Sequence, residues 1–141
     1  MDKAIKKLVL WKCRNIDKLY ENLQRMKERK EEIIDESSSV PDGQPKAKYN
    51  VSDMVSNKVL RREQIDFSIK KLEYEIHTII EFKNSLKGYE REIYDSVIER
   101  ATNINAKADL LGYDRKKILK DKSKLLRQLA TELGEYVDID Y

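Results

Sequence analysis

The sequence predicts an all-α protein: a long, coiled-coil-like helical hairpin followed by a C-terminal module of short helices. Three observations carry this expectation. Glycine and proline are scarce, four and two in 141 residues, while 39% of residues are charged, a helix-rich balance with few strand or turn signals. Two long stretches repeat apolar residues at alternating threes and fours. Near the C-terminus, the spacing of Gly112, Asp114 and a run of basic residues marks a turn between two helices.

The first long helix is expected within residues 1–36, from Lys3 to Glu36, with Asp2 as its N-cap. Its seam is Ile5, Val9, Lys12, Ile16, Leu19, Leu23, Met26, Lys30 and Ile33, of which seven of nine are apolar. Such a helix would be on the order of 50 Å long, too long to be buried in a compact domain of this size. Residues 37–50, Ser37 to Asn50, hold both prolines and Pro-Asp-Gly turn chemistry, and predict a flexible loop. The second helix is expected within 51–87, starting near Ser52 or Asp53 and running to about Leu86. Its seam is Val55, Lys58, Arg62, Ile65, Ile69, Leu72, Ile76, Ile79, Lys83 and Leu86. Two heptad helices joined by a loop predict an antiparallel hairpin, although the seams could equally pair between chains. The polar seam residues Lys12, Lys30, Lys58, Arg62 and Lys83 set register or mark where the seam opens.

From Gly88 the pattern shortens, and residues 88–134 are expected to form a helix-turn-helix module. In "YEREIYDSVIER", Tyr89 to Arg100, Ile93, Val97 and Ile98 share a face with Tyr94 nearby. "ATN" is a break, with Thr102 or Asn103 capping the next helix. "INAKADLLG" is a short helix closed by Gly112, and Asp114 is expected to cap the last helix. Ile118, Leu125, Leu126 and Leu129 would form its buried stripe. Ala108, four residues before the glycine, is small enough to let the two helices cross closely. The acidic tail, 135–141, is expected to fray.

The charge distribution points to a partner. The net charge is only +3, yet Arg115–Arg127 holds seven of the 29 basic residues and one of the 26 acidic ones. That leaves 22 basic and 25 acidic residues elsewhere. A basic stripe on an otherwise slightly acidic chain suits a polyanion. Three cations in a helix's first turn oppose its dipole, at a cost of about 0.3–1 kcal/mol each when exposed. That placement makes sense if phosphates and base edges meet that end. Arg115 and Lys116 are the candidates for base edges. Lys120, Lys122, Lys124 and Arg127 are candidates for phosphates, with simple solvation equally open for Lys122 and Arg127. Lys117 shares the DNA-facing side, and Tyr113 is expected to pack. Double-stranded DNA is the partner this implies.

Catalytic and metal chemistry find no support. His77 is the one histidine and reads as a structural or surface residue of a helix, and Cys13, the one cysteine, has no identifiable activating partner. No phosphate-binding glycine loop, Cys/His metal spacing or nucleophile motif occurs, so no enzyme activity and no cofactor or metal is expected. Trp11 reads as packing or a self-association surface. A single cysteine suits a reducing cytoplasm, no apolar run is long enough for a membrane span, and the N-terminus lacks a signal-peptide cleavage site.

"YEREIYDSVIER" followed by "AKADLLGYDRKKILKDKSKLLRQL" resembles region four of bacterial sigma factors, a helix-turn-helix variant. Glu90–Ile93, Ala108, Leu111-Gly112 and the Ile118, Leu125, Leu126, Leu129 spacing carry the resemblance. Lys107 departs from it where an aliphatic residue is usual, and Asp114 where serine or threonine is usual. The wider architecture, ending in "RQLATELGE", is similar to phage late-gene activators of the RinA and ArpU type, with specific motifs only from about Ile80 onward. The resemblance implies an activator of phage packaging, morphogenesis and lysis genes. It would bind promoter DNA through the helix at 114–130 and contact host RNA polymerase. The long helices would serve homo-oligomerisation or a protein modulator. The alternatives are a DNA-packaging adaptor of the small-terminase kind and an interaction protein that sequesters a regulator.

Overall fold

The computed structural model describes residues 2–38 and 51–135, with the side chains of 34–38, 51–56 and 58 left aside. The protein is all-α, with no strand among the described residues. The helices are α1 (Lys3–Arg14), α2 (Ile16–Ser38), α3 (Val51–Ser85), α4 (Tyr89–Ile93), α5 (Ile104–Leu111) and α6 (Arg115–Glu132), and a π-helical segment (Tyr94–Glu99) continues α4. The chain divides into two compact units, one of Met1–Asp17 with Glu75–Tyr141 and one of Lys18–Tyr74.

The expected continuous helix from Lys3 to Glu36 is interrupted at Asn15. The seam spacing runs straight through this point, so periodicity alone does not reveal the break. Local hydrogen bonding causes it. The Asn15 amide Nδ2 donates to the Trp11 carbonyl at 2.8 Å, while the Asn15 backbone N–H turns to Lys12 at 3.4 Å. The side chain thus occupies the acceptor that a continuing helix would use. Asp2 caps α1 as expected, accepting from the Ala4 N–H. Ser37 and Ser38 lie in α2, and 39–50, the rest of the expected loop, lie outside the described residues, as do 136–141.

In the unit Lys18–Tyr74, Leu19, Leu23, Ile69 and Leu72 are buried. Lys27 pairs with Glu73 at 3.5 Å and Lys30 with Asp66 at 2.7 Å, so numbering rises along α2 as it falls along α3. Lys30 is a polar seam residue, and Asp66 answers it. The same holds for two other seam lysines, both in the other unit. Lys83 pairs with Glu99 at 2.8 Å, and Lys12 donates to Glu75 at 3.0 Å and to Glu135 at 3.2 Å. Each interrupts the apolar stripe where an acidic partner stands opposite, which ties the pairing to one register.

The larger unit packs α1, the end of α3, α4 with its π-helical continuation, α5 and α6 around one core. Val9, Ile79, Ile93, Tyr94, Val97, Ile98, Ile118 and Leu129 are its largest fully buried side chains. Burial of each contributes roughly 1.5–3 kcal/mol. The Tyr94 ring lies tilted against Phe82 with centroids 6.2 Å apart. All four residues of the predicted α6 stripe, Ile118, Leu125, Leu126 and Leu129, are buried, joined by Ala130.

Two residues beyond the π-helical segment stands Ala101, whose φ of 55° is left-handed. This conformation lets the Thr102 N–H close on the Ser96 carbonyl at 2.8 Å. An L-residue pays about 1–2 kcal/mol for such a backbone, which glycine tolerates freely. Ala101→Gly is expected to raise stability by about 0.5–1 kcal/mol, read as a higher urea midpoint with unchanged slope.

Candidate nucleic-acid interface

The turn before α6 is built by its own residues. Asn103 caps α5, its side chain accepting from the Asn105 N–H at 2.9 Å. Gly112 closes α5 at φ 70°, and the Gly112 and Tyr113 amides both reach the Ala108 carbonyl. Asp114 is the N-cap of α6 in extended backbone, but its side chain makes no capping hydrogen bond, contrary to expectation. Its carbonyl accepts from Ile118, and the carboxylate stays exposed. The cations of the first turn therefore have no side-chain cap beside them.

Lys107, the departure in the sequence pattern, is buried along its stem. Its ammonium pairs with Glu92 of α4. That ammonium first, and the Ser96 hydroxyl next, hold the Glu92 carboxyl below the ordinary glutamate range. The pair's stabilisation is present above the pKa that Glu92 has in the unfolded chain, and is lost as pH falls through the lowered folded value. Lys107→Met is expected to flatten this part of the acid limb of the stability–pH curve, followed by urea unfolding at stepped pH.

The seven basic residues of α6 separate into three settings. Lys117 sits over two rings, 4.7 Å from the Tyr113 centroid and 5.4 Å from that of Tyr89. The rings contact each other at 4.8 Å, and the Tyr89 hydroxyl donates to Asp121 at 2.7 Å. This cation–π arrangement offsets part of the dipole penalty at that position and gives Tyr113 its packing role. Lys116, Lys120, Lys124 and Arg127 are exposed, and at 3.6 residues per turn they fall on the side opposite the buried stripe.

Arg115 and Lys122 lie elsewhere. They are two turns apart, on the stripe of Ile118, Leu125 and Leu129, and so do not share the outward face expected for Arg115. Lys122 is half-buried, and burial first, then the charges of Arg14 and Lys6, push its amine below the ordinary lysine value. Arg115 is exposed only because it stands at the helix start, beyond the core. With Arg14 of α1 these two line a cavity of about 310 Å³ at the start of α5.

The structure also brings in cations that the charge count placed elsewhere. Helix α1 carries five basic residues, Lys3, Lys6, Lys7, Lys12 and Arg14, and no acidic one. It packs against α6, with the Lys6 ammonium donating to the Ser123 hydroxyl at 3.1 Å. Lys6 thereby joins Lys120, Lys124 and Arg127 around a shallow basic groove. The positive surface is thus a two-helix surface. Its sequence signal, an acid-free run in α1, was legible, but its position beside residues 120–127 was not.

His77 is exposed on α3 and meets Glu81 at 2.9 Å. Cys13 is buried, and burial raises its thiol to about 11, so it is held as a neutral thiol beside Tyr94. Among the described residues no group of three or more His, Cys, Asp or Glu side chains could hold a metal ion. No helix among them is long and apolar enough to cross a membrane. What fold and surface define together is an all-α protein with a basic surface built from α1 and α6. In comparisons with known proteins, the chain matches no family model, no curated sequence and no solved structure.

Proposed function

We propose that this protein is a sequence-specific, DNA-binding transcriptional activator of phage late genes, in which α5, the Gly112 turn and α6 act as a helix-turn-helix. The observation that carries the reading is the basic surface of α1 and α6, continuous with the N-terminal turn of a helix behind a glycine turn. Lys6, Lys120, Lys124 and Arg127 would draw in the phosphate backbone, which gives affinity a steep salt dependence. Lys116, at the leading end of α6, would reach base edges in the major groove, where donor and acceptor patterns distinguish all four base pairs. The resemblance to sigma region four supports the assignment of α6 as the reading helix, and a contact with RNA polymerase follows from the same resemblance. The long helices α2 and α3 would act as a hairpin that holds a second copy or a modulator.

The test is binding of the full chain to duplex DNA over a range of salt, combined with light scattering. The reading expects an affinity that falls steeply with salt and a monomer or small oligomer. A large ring would instead favour a packaging adaptor. Absence of any salt-dependent DNA affinity would reject DNA binding and leave the sequestering protein.

A further inference from the structure

The cavity at the start of α5 is a second feature of the basic surface, with its own geometry. Three cations line it, Arg14 from α1 and Arg115 and Lys122 from α6, and no acidic side chain does. Arg14 is held in place because its Nε donates to the Ile98 carbonyl at 2.8 Å and its Nη2 lies 3.4 Å from that of Val97. These carbonyls belong to the π-helical segment, and the two bonds leave the remaining face of the guanidinium available. Neither Arg115 nor Lys122 forms an ion pair among the described residues. Thr102, Asn103 and Asn105 add a polar wall. Like charges lining one partly buried site repel one another unless an anion sits among them.

We infer that this cavity seats one phosphate of the DNA backbone, gripped by Arg14, Arg115 and Lys122. A phosphate offers several oxygens in different directions, which suits cations converging from two helices. Arg115 is the neighbour of Lys116 at the leading end of α6, so a strand laid along the reading helix passes the cavity mouth. The inference rests on the DNA-binding reading and extends it. It makes α1 part of the DNA site and makes Arg115 a phosphate ligand.

The test uses the full chain, a fluorescent duplex of mixed sequence, and the variants Lys122→Gln, Arg14→Gln and Arg115→Ala, each checked for helical content. Each variant is expected to lower the slope of log affinity against log salt by about 0.9, one phosphate's share. Between about 50 and 200 mM salt, the parent should therefore lose about 3.5-fold more affinity than the variant. Arg115→Ala should weaken all duplexes alike, whereas Lys116→Ala should narrow the difference between them. Lys122→Gln keeps the test decisive if loss of Arg14 disturbs the Val97 and Ile98 carbonyls. If the parent chain binds DNA and both Lys122→Gln and Arg115→Ala keep its slope, the cavity assignment is overturned while the DNA-binding reading stands. If the parent binds no duplex, that reading itself fails and the assignment with it. A parent chain stabilised by inorganic phosphate at matched ionic strength, with variant slopes on DNA unchanged, would make the cavity a free-phosphate site and overturn the backbone assignment.

Discussion

On the proposed function, Lys116→Ala, Lys120→Ala and Lys124→Ala, combined in one chain, are expected to remove most of the affinity for duplex DNA while leaving the fold intact. All three side chains are exposed on the outward side of α6. Lys120 and Lys124 each answer one phosphate, so the salt slope falls by about 1.8, while the loss of Lys116 removes base-edge contacts. The parent chain then loses about 12-fold more affinity than the variant between about 50 and 200 mM salt. Stability should move the other way. Alanine is the better helix former, and removing the first-turn cation Lys116 relieves a dipole penalty of about 0.3–1 kcal/mol. A variant that is slightly more stable and nearly unable to bind would separate a functional cost in the sequence from a structural one. Urea unfolding and fluorescence anisotropy on the same preparations measure both.

Lys12→Ala is expected to be strongly destabilising, by about 3–5 kcal/mol. Lys12 and Glu75 form the most buried ion pair of the described residues, with side chains 9% and 10% exposed. Removing the lysine leaves the Glu75 carboxylate buried without its charge partner, and also deprives Glu135 of its contact. Against a total stability of about 5–15 kcal/mol, that loss populates the unfolded chain. The double variant Lys12→Met with Glu75→Leu should recover most of the loss, since replacing both members of a buried pair with apolar side chains is often neutral. A double-mutant cycle by urea unfolding checks this. Comparable damage from the double variant and from Lys12→Ala would show that the pair is held for packing rather than for charge. Because Lys12 belongs to α1, the single change should also loosen α1 beside α6 and, on the proposed function, weaken DNA binding without altering any residue of α6.

The seams were legible because burial of one helical face imposes a period that survives in sequence. Val9, Leu19, Leu23, Ile69, Leu72, Ile76, Ile79 and Leu86 were all read from it and are all buried. The cap at Asp2, a cap at Thr102 or Asn103 that proves to be Asn103, and the turn at Gly112 were legible because few residue types satisfy those backbone demands. The break at Asn15 was not, since apolar spacing continues through it and only a side-chain hydrogen bond diverts the backbone. At Asp114 the residue type was right for a cap, but the carboxylate points elsewhere. Arg115 was separable from Lys116 in principle, because it falls in step with Lys122 and Ile118 on the helix. Arg14 and Lys6 were beyond reach. Their partners Ile98 and Ser123 lie 84 and 117 residues away, and only the folded chain brings them to the site.

Footprinting the full chain on the DNA flanking its own coding sequence is the decisive measurement. One short protected site is expected in a promoter, lost as salt rises and absent for the Lys116, Lys120 and Lys124 variant. No protection at low salt, or protection that survives unchanged in that variant, would contradict the proposed function.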